Sequence, residues 1–233
     1  MRIEGRTLSL IAVFAALGVV CDGVVTLGFS GGVWFGWIFL ISPIAGIVLG
    51  PYNGFVSTLI AVMIGHSLFP RDTVYEFIFT IGAPVGSMMS GFAFKGQLKR
   101  LFAFYTVMLG AYFAAPVSKH LPIWGMWDCY VAYAILTVLC AILSIRGSDE
   151  TKRISPFAVS AFLGLEADVL LRIFILVPCQ GYRFFYGWTP ELLKATWTIP
   201  APLITPFKVL LSTFIVTLIG PQIKRAIGNS KIS

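Results

Sequence analysis

Six ionisable side chains, those of Asp22, Glu76, Glu166, Asp168, Arg172 and Lys208, interrupt stretches of this chain that are otherwise apolar enough to sit in lipid. Three of them fall within "GLEADVLLRIFILVP", residues 164–178. Asp168 and Arg172 are four apart, which on a helix places them on one face within reach of an ion pair. Glu166 lies about 160° around the helix from Asp168, so that pair accounts neither for it nor for Lys208. A charge at the bilayer centre costs at least about 2.5–3.5 kcal/mol, and each should therefore face a partner or a cavity. Together the six predict a water-accessible pocket that opens to one side of the membrane. Glu166 and Asp168 could alternatively serve as acid and base toward a lipid, although that chemistry draws on further polar groups near a membrane surface, and none cluster here.

The elements that must hold these residues follow from hydropathy. Of 233 residues, 58% are hydrophobic and 12% charged, and the mean hydropathy is +0.88, far outside the range of soluble domains. The chain reads as a multi-pass protein of the cell membrane. Its net charge of +7 reads as juxtamembrane Lys and Arg rather than as a nucleic-acid surface. The start, "MRIEGRTLSLIAVFAALGVVCDG", lacks a small-x-small cleavage site and is expected to be the first span. Apolar runs between polar or Gly/Pro breaks predict spans near 7–27, 34–49, 52–69, 75–94, 101–115, 129–145, 156–177 and 205–222. Gly50-Pro51 predicts a tight break between two helices.

With the N-terminus inside, the inner segments hold Arg2, Arg6, Lys95, Lys99, Arg100, Arg146, Lys152, Arg153, Lys224, Arg225 and Lys231. The outer segments hold only Arg71, Lys119, Arg183 and Lys194, so both termini are expected in the cytoplasm. In that frame Arg172 lies ~7–8 Å and Asp168 ~13 Å below the outer end of span 156–177, with Glu166 near the midplane. Lys208 is expected about one helical turn into the last span. All six buried charges belong to the middle or outer half. Trp34 and Trp37, with Tyr182, Phe185 and Trp188, crowd the same side, either as an interfacial belt or as a lid over a ligand.

Several chemistries are excluded or disfavoured. There is no G-x-x-x-x-G-K-[ST] for ATP hydrolysis, and neither H-E-x-x-H nor G-x-S-x-G occurs. Cys21, Cys129, Cys140 and Cys179 show no C-x-x-C, and only His66 and His120 could assist, so no metal or cofactor is expected. A Cys129–Cys179 disulfide is open by topology, while small unpaired packing residues are the simpler reading. Ala12-x-x-x-Ala16, Gly46-x-x-x-Gly50 and Gly82-x-x-x-Gly86 permit close helix approach, and the first could also receive another subunit. An ion-conducting or structural role would call for polar linings in both membrane halves, and the inner halves are dry.

The order of motifs resembles the S components, the substrate-binding membrane subunits of energy-coupling factor (ECF) vitamin transporters, most of all their riboflavin-type members. The likeness rests on "LIAVFAAL", "SPIAGIVLGPYNGFVSTLI", "RIFILVPCQGYRFFYG" and "TPELLKATWTIPAPLITPFKVLLSTFIVTLIG". It implies an all-α membrane protein, a single transmembrane domain over 1–233. A six-helix core (1–100 and 155–225) would carry an inserted two-helix hairpin at 101–145, giving about eight spans. It further implies a binding subunit, not an enzyme, that captures a small water-soluble nutrient such as a vitamin. Energy would come from two partner ATPase subunits through a coupling membrane subunit docked on Ala12 and Ala16. Arg172 and Lys208 match ligand-contacting positions where riboflavin binders resemble one another in having Asn. Two cations in place of amides imply an anionic ligand, such as a carboxylate, with Glu166 and Asp168 orienting Arg172 or reading a donor. Met1-Arg2 departs from the Met-His start of the nickel and cobalt members, which lowers the expectation of metal transport.

Overall fold

The computed structural model describes residues 5–24, 37–68, 76–146 and 157–229. Among them the secondary structure is entirely helical. The chain is a multi-pass, mostly helical membrane protein, consistent with residence in the cell membrane: four helical segments, Gly5–Gly23, Phe77–Phe94, Ile123–Ile142 and Pro200–Ile227, are long and apolar enough to cross a bilayer. A shorter apolar segment covers Ile38–Leu49.

Local chemistry sets the breaks. Helix α1 (Gly5–Val19) loosens into a π-helical turn, Val20–Val24, that carries Asp22. Helix α2 (Ser42–Leu49) stops at Gly50, whose φ of 85° is the left-handed region that favours glycine. Pro51 then opens α3 (Pro51–Leu68), where its missing N–H costs nothing, and the break expected at Gly50-Pro51 is in place. A second interruption, at Ile81, separates α4 (Glu76–Thr80) from α5 (Gly82–Phe94). Pro84 has no N–H to give to the Thr80 carbonyl one turn back, which explains the loosened turn. Helices α6 (Leu98–Ala114) and α7 (Trp127–Arg146) are joined by two 3-10 turns and run antiparallel, with Phe102 stacked on Tyr133 and Phe113 on Tyr130. Helix α8 (Phe157–Leu176) is buried along most of its length. Short helices α9 (Gly181–Phe184) and α10 (Pro190–Thr198) lead to the long α11 (Pro200–Asn229). That last helix starts five residues before the apolar run read from the sequence, so Lys208 lies about two turns inside it rather than one.

Glycine lets α5 sit at the centre. A Cβ on Gly86 would lie 2.8 Å from the Gly164 carbonyl oxygen, and one on Gly164 would lie 2.6 Å from the Ser90 amide nitrogen, so α5 and α8 touch backbone to backbone. On the opposite side of α5, a Cβ on Gly46 would lie 1.8 Å from the Ser87 carbonyl oxygen, and one on Gly91 2.7 Å from Pro51. Gly46 and Gly82/Gly86, picked out by their spacing, are thus internal packing contacts. The α6–α7 pair docks on α8, where the Tyr105 hydroxyl donates to the Leu163 carbonyl at 2.7 Å.

The two ends of the bundle differ. At one, the Lys224 ammonium lies 3.7 Å from the Phe94 ring centroid, Arg100 stacks on Phe92 and donates to the Tyr52 hydroxyl, and Arg6 donates to the Ile227 carbonyl. The other end gathers Asp22, Phe39, Gly82, Arg172 and the aromatic 182–188 segment.

Gly164→Ala is expected to destabilise the purified protein by about 1–3 kcal/mol through overpacking, read as a lowered melting temperature. Gly110→Ala, with nothing within 4 Å of the added methyl, should leave the melting temperature unchanged or slightly raised.

Candidate functional site: an ion pair and a second cation around Phe39

Helix α8 brings Asp168 and Arg172 together as their spacing predicts. Arg172 Nε donates to Asp168 Oδ1 at 2.6 Å, and a terminal nitrogen reaches Oδ2 at 3.4 Å. Asp168 is fully buried while the Arg172 side chain keeps 15% of its exposure. The pair fits because Gly82 faces it: a Cβ there would lie 2.1 Å from Asp168 Oδ1 and 3.0 Å from Arg172 Nε. Gly86 leaves room for the Asp168 Cβ in the same way.

Lys208 approaches from α11. Its ammonium lies 5.4 Å from the centroid of Phe39, in the 3-10 turn Ile38–Leu40 before α2, and the Arg172 guanidinium lies 5.6 Å from the same ring. Both cations act on Asp168. Two positive groups therefore share one carboxylate and one aromatic ring, with a formal charge of +1 over the three ionisable groups. Hydropathy and spacing had no means of finding Phe39: a lone aromatic in an apolar run carries no periodic signal.

The aromatic segment lies at the same end. Tyr182 is buried, and Phe185 and Trp188 are half-buried. Phe79 of α4 meets Phe185 and Tyr186 edge-on at 6.2 and 5.5 Å, and Tyr186 contacts Trp188 at 5.2 Å. Trp37 is half-buried at the start of the Phe39 turn. Trp34 lies outside the described residues, as does the side chain of Glu76.

Glu166 points elsewhere. From the middle of α8 it turns to the α6–α7 pair, where the Cys129 thiol donates to its Oε2 at 3.3 Å. All four cysteines are unbridged, and Cys129 is buried whereas Cys179 is exposed. Ala12 and Ala16 are both exposed on α1, beside Leu8, Val13 and Leu17, while Phe14 and Ala15 turn inward.

A second polar chain escaped the sequence reading. His66 Nδ1 lies 2.7 Å from Asp22 Oδ2 and 3.1 Å from the Val62 carbonyl, and its Nε2 lies 2.9 Å from Thr80 Oγ1. Both partners of Nδ1 are acceptors, so that nitrogen carries the proton. All three side chains are at most 5% exposed. A Cβ on Gly65 would lie 2.6 Å from Asp22 Oδ2, so this contact too needs glycine. The acid–imidazole–hydroxyl order is that of nucleophilic catalysis, and here the three buried side chains link the turn after α1 to α3 and α4. No spacing rule links Asp22 to His66 or Thr80, because the three lie on separate helices.

The chain matches no protein-family model, no curated protein and no solved structure. Its function is therefore argued from the site alone.

Asp168→Leu leaves Arg172 without its carboxylate and should cost about 3–5 kcal/mol of stability, whereas Asp168→Leu/Arg172→Leu should recover most of that loss. Thermal melting of the two variants in detergent distinguishes them.

Proposed function

We propose that this chain is the substrate-capture subunit of an ECF-type transporter, holding a small anionic nutrient such as a carboxylate-bearing vitamin or related metabolite. The observation that carries this reading is the convergence of Arg172 and Lys208 on Phe39, with Asp168 paired to Arg172, at the end of the bundle that holds the aromatic segment. An anionic group meeting the two cations gains charge-assisted hydrogen bonds and neutralises their net charge. The planar guanidinium of Arg172, held by Asp168 through Nε and one terminal nitrogen, keeps its other terminal nitrogen to donate to a ligand oxygen.

In this proposal the basic end, with Arg6, Lys95, Arg100 and Lys224, faces the cytoplasm with both termini, and the Arg172 end faces outward. Helices α1, α2, α3, α4–α5, α8 and α11 form the six-helix core, α6–α7 is the inserted hairpin, and all eight segments cross the bilayer. Phe185 and Trp188, with Trp37, close over the ligand or anchor the outer rim, together with the buried Tyr182. Asp168 positions Arg172. Glu166, turned toward the hairpin, serves the site only through the helix they share. The subunit performs no chemistry of its own. A coupling membrane subunit on the exposed Ala12/Ala16 face, with two ATPases, supplies the energy.

Mass spectrometry of small molecules that copurify with the protein should reveal an anionic metabolite in stoichiometric amount. Arg172→Ala and Lys208→Ala are each expected to weaken its binding at least a hundredfold in a calorimetric titration. Unchanged affinity in both variants would overturn the site, and binding only of neutral or cationic compounds would overturn the substrate class.

A further inference from the structure

The α6–α7 hairpin brings two acids and a thiol to one dry place. Asp128 lies in the first turn of α7, Cys129 follows it, and Glu166 faces them from α8. Their exposures are 4%, 0% and 0%, and one ligand atom from each lies within 4.8 Å of the others. The internal hydrogen bonds are few: the Cys129 thiol donates to Glu166 Oε2, and the Cys129 backbone N–H donates to Asp128 Oδ1 at 3.0 Å. The other oxygen of each carboxylate, Asp128 Oδ2 and Glu166 Oε1, is fully buried and has no hydrogen-bond partner. Buried polar atoms are rarely left so, and two on adjacent acids mark a place built for something that accepts their lone pairs.

The electrostatics point the same way. The charged neighbours acting on Glu166 are Asp128 and Asp168, both acids, and the nearest guanidinium on α8, that of Arg172, is committed to Asp168. Like charges this close repel strongly in a medium of low dielectric constant. A positive ion between them removes the repulsion and gives the two carboxylates a partner.

We propose that Asp128, Cys129 and Glu166 bind a divalent transition-metal ion of the zinc and cobalt class, which clamps the α6–α7 hairpin to α8. A divalent cation offsets both carboxylates, and with the Cys129 thiolate the occupied site carries a net charge of −1. The sulfur selects against magnesium and calcium, which take oxygen ligands. Metal–oxygen distances of ~2.0–2.2 Å and a metal–sulfur distance of ~2.3 Å make a tetrahedral edge of roughly 3.5 Å, close to the 3.3 Å between Cys129 Sγ and Glu166 Oε2. On binding, the thiol gives up its proton to solvent, its hydrogen bond to Glu166 is replaced by two bonds to the metal, and the sulfur enters as thiolate. Three protein donors leave a fourth position for a water. Cys129 and Glu166 come from different helices, which is why no C-x-x-C-like spacing announced the site.

The test uses the full-length protein in detergent, stripped with chelator and titrated with cobalt(II). One equivalent is expected to bind with a sulfur-to-cobalt charge-transfer band in the near ultraviolet and tetrahedral d–d bands in the visible, and zinc should displace it. Cys129→Ser should abolish the charge-transfer band, and Asp128→Asn and Glu166→Gln should each weaken cobalt binding at least tenfold. Replacing Cys21, Cys140 and Cys179 together by Ser should leave the band intact. Wild-type protein that is folded yet binds neither metal stoichiometrically, with the cluster holding protons only, overturns the proposal. So does a band that survives Cys129→Ser. The wild-type measurement decides the matter even if a variant fails to fold.

Discussion

The close approach of α5 to α8 is the constraint on which the rest of this molecule depends. A carboxylate is tolerable inside a membrane protein only with its partner supplied and water or lipid kept away from it. Asp168 meets both conditions because α5 presents Gly82 and Gly86 where any side chain would occupy its space. With the helices pressed backbone to backbone, Asp168 is sealed on one side by α5 and turned toward Arg172 along its own helix. The guanidinium is thereby aimed at Phe39 rather than at lipid. A wider spacing would leave a gap beside the ion pair, and the carboxylate would seek water or take up a proton.

The charged residues of α8 fall on two faces. Asp168 and Arg172, one turn apart, look toward α5, Phe39 and Lys208; Glu166 looks toward Cys129 and Asp128. Most of α8 is buried on all sides, so neither face is available to lipid. A helix with three ionisable groups would be a poor span by itself. Surrounded by α5, α6, α7 and α11 it becomes the polar spine of an apolar bundle. The hairpin α6–α7 is therefore more than padding: it covers the acidic face of α8 as α5 covers the other.

What was legible in the sequence was local. The Gly50-Pro51 break, the Gly82/Gly86 contact and the Asp168–Arg172 pair each depend on residues within one turn of one another, and backbone preference or helical period suffices to read them. What escaped was tertiary. Asp22 meets His66 across 44 residues and Glu166 meets Cys129 across 37, and no period connects residues on different helices. Glu166 and Asp168 were readily grouped as near neighbours in the chain, yet their separation around the helix sends them to different partners. Phe39 was hidden for a different reason: its role comes from two cations that arrive from α8 and α11.

The position of that ring explains how two like charges can be kept together without a ligand. Arg172 and Lys208 repel each other, and the negative charge of Asp168 offsets part of that repulsion. The face of an aromatic ring carries negative quadrupole charge, and each cation lies within about 6 Å of its centroid, the range in which that attraction operates. Phe39 thus offsets part of the repulsion while offering no lone pair that would compete with an arriving anion. Because the ring is packed into the core and Arg172 is held by Asp168, the guanidinium is positioned in advance. An anionic ligand would meet a formed site and lose little to reorganisation, a property that a site of freely moving Lys and Arg side chains would lack.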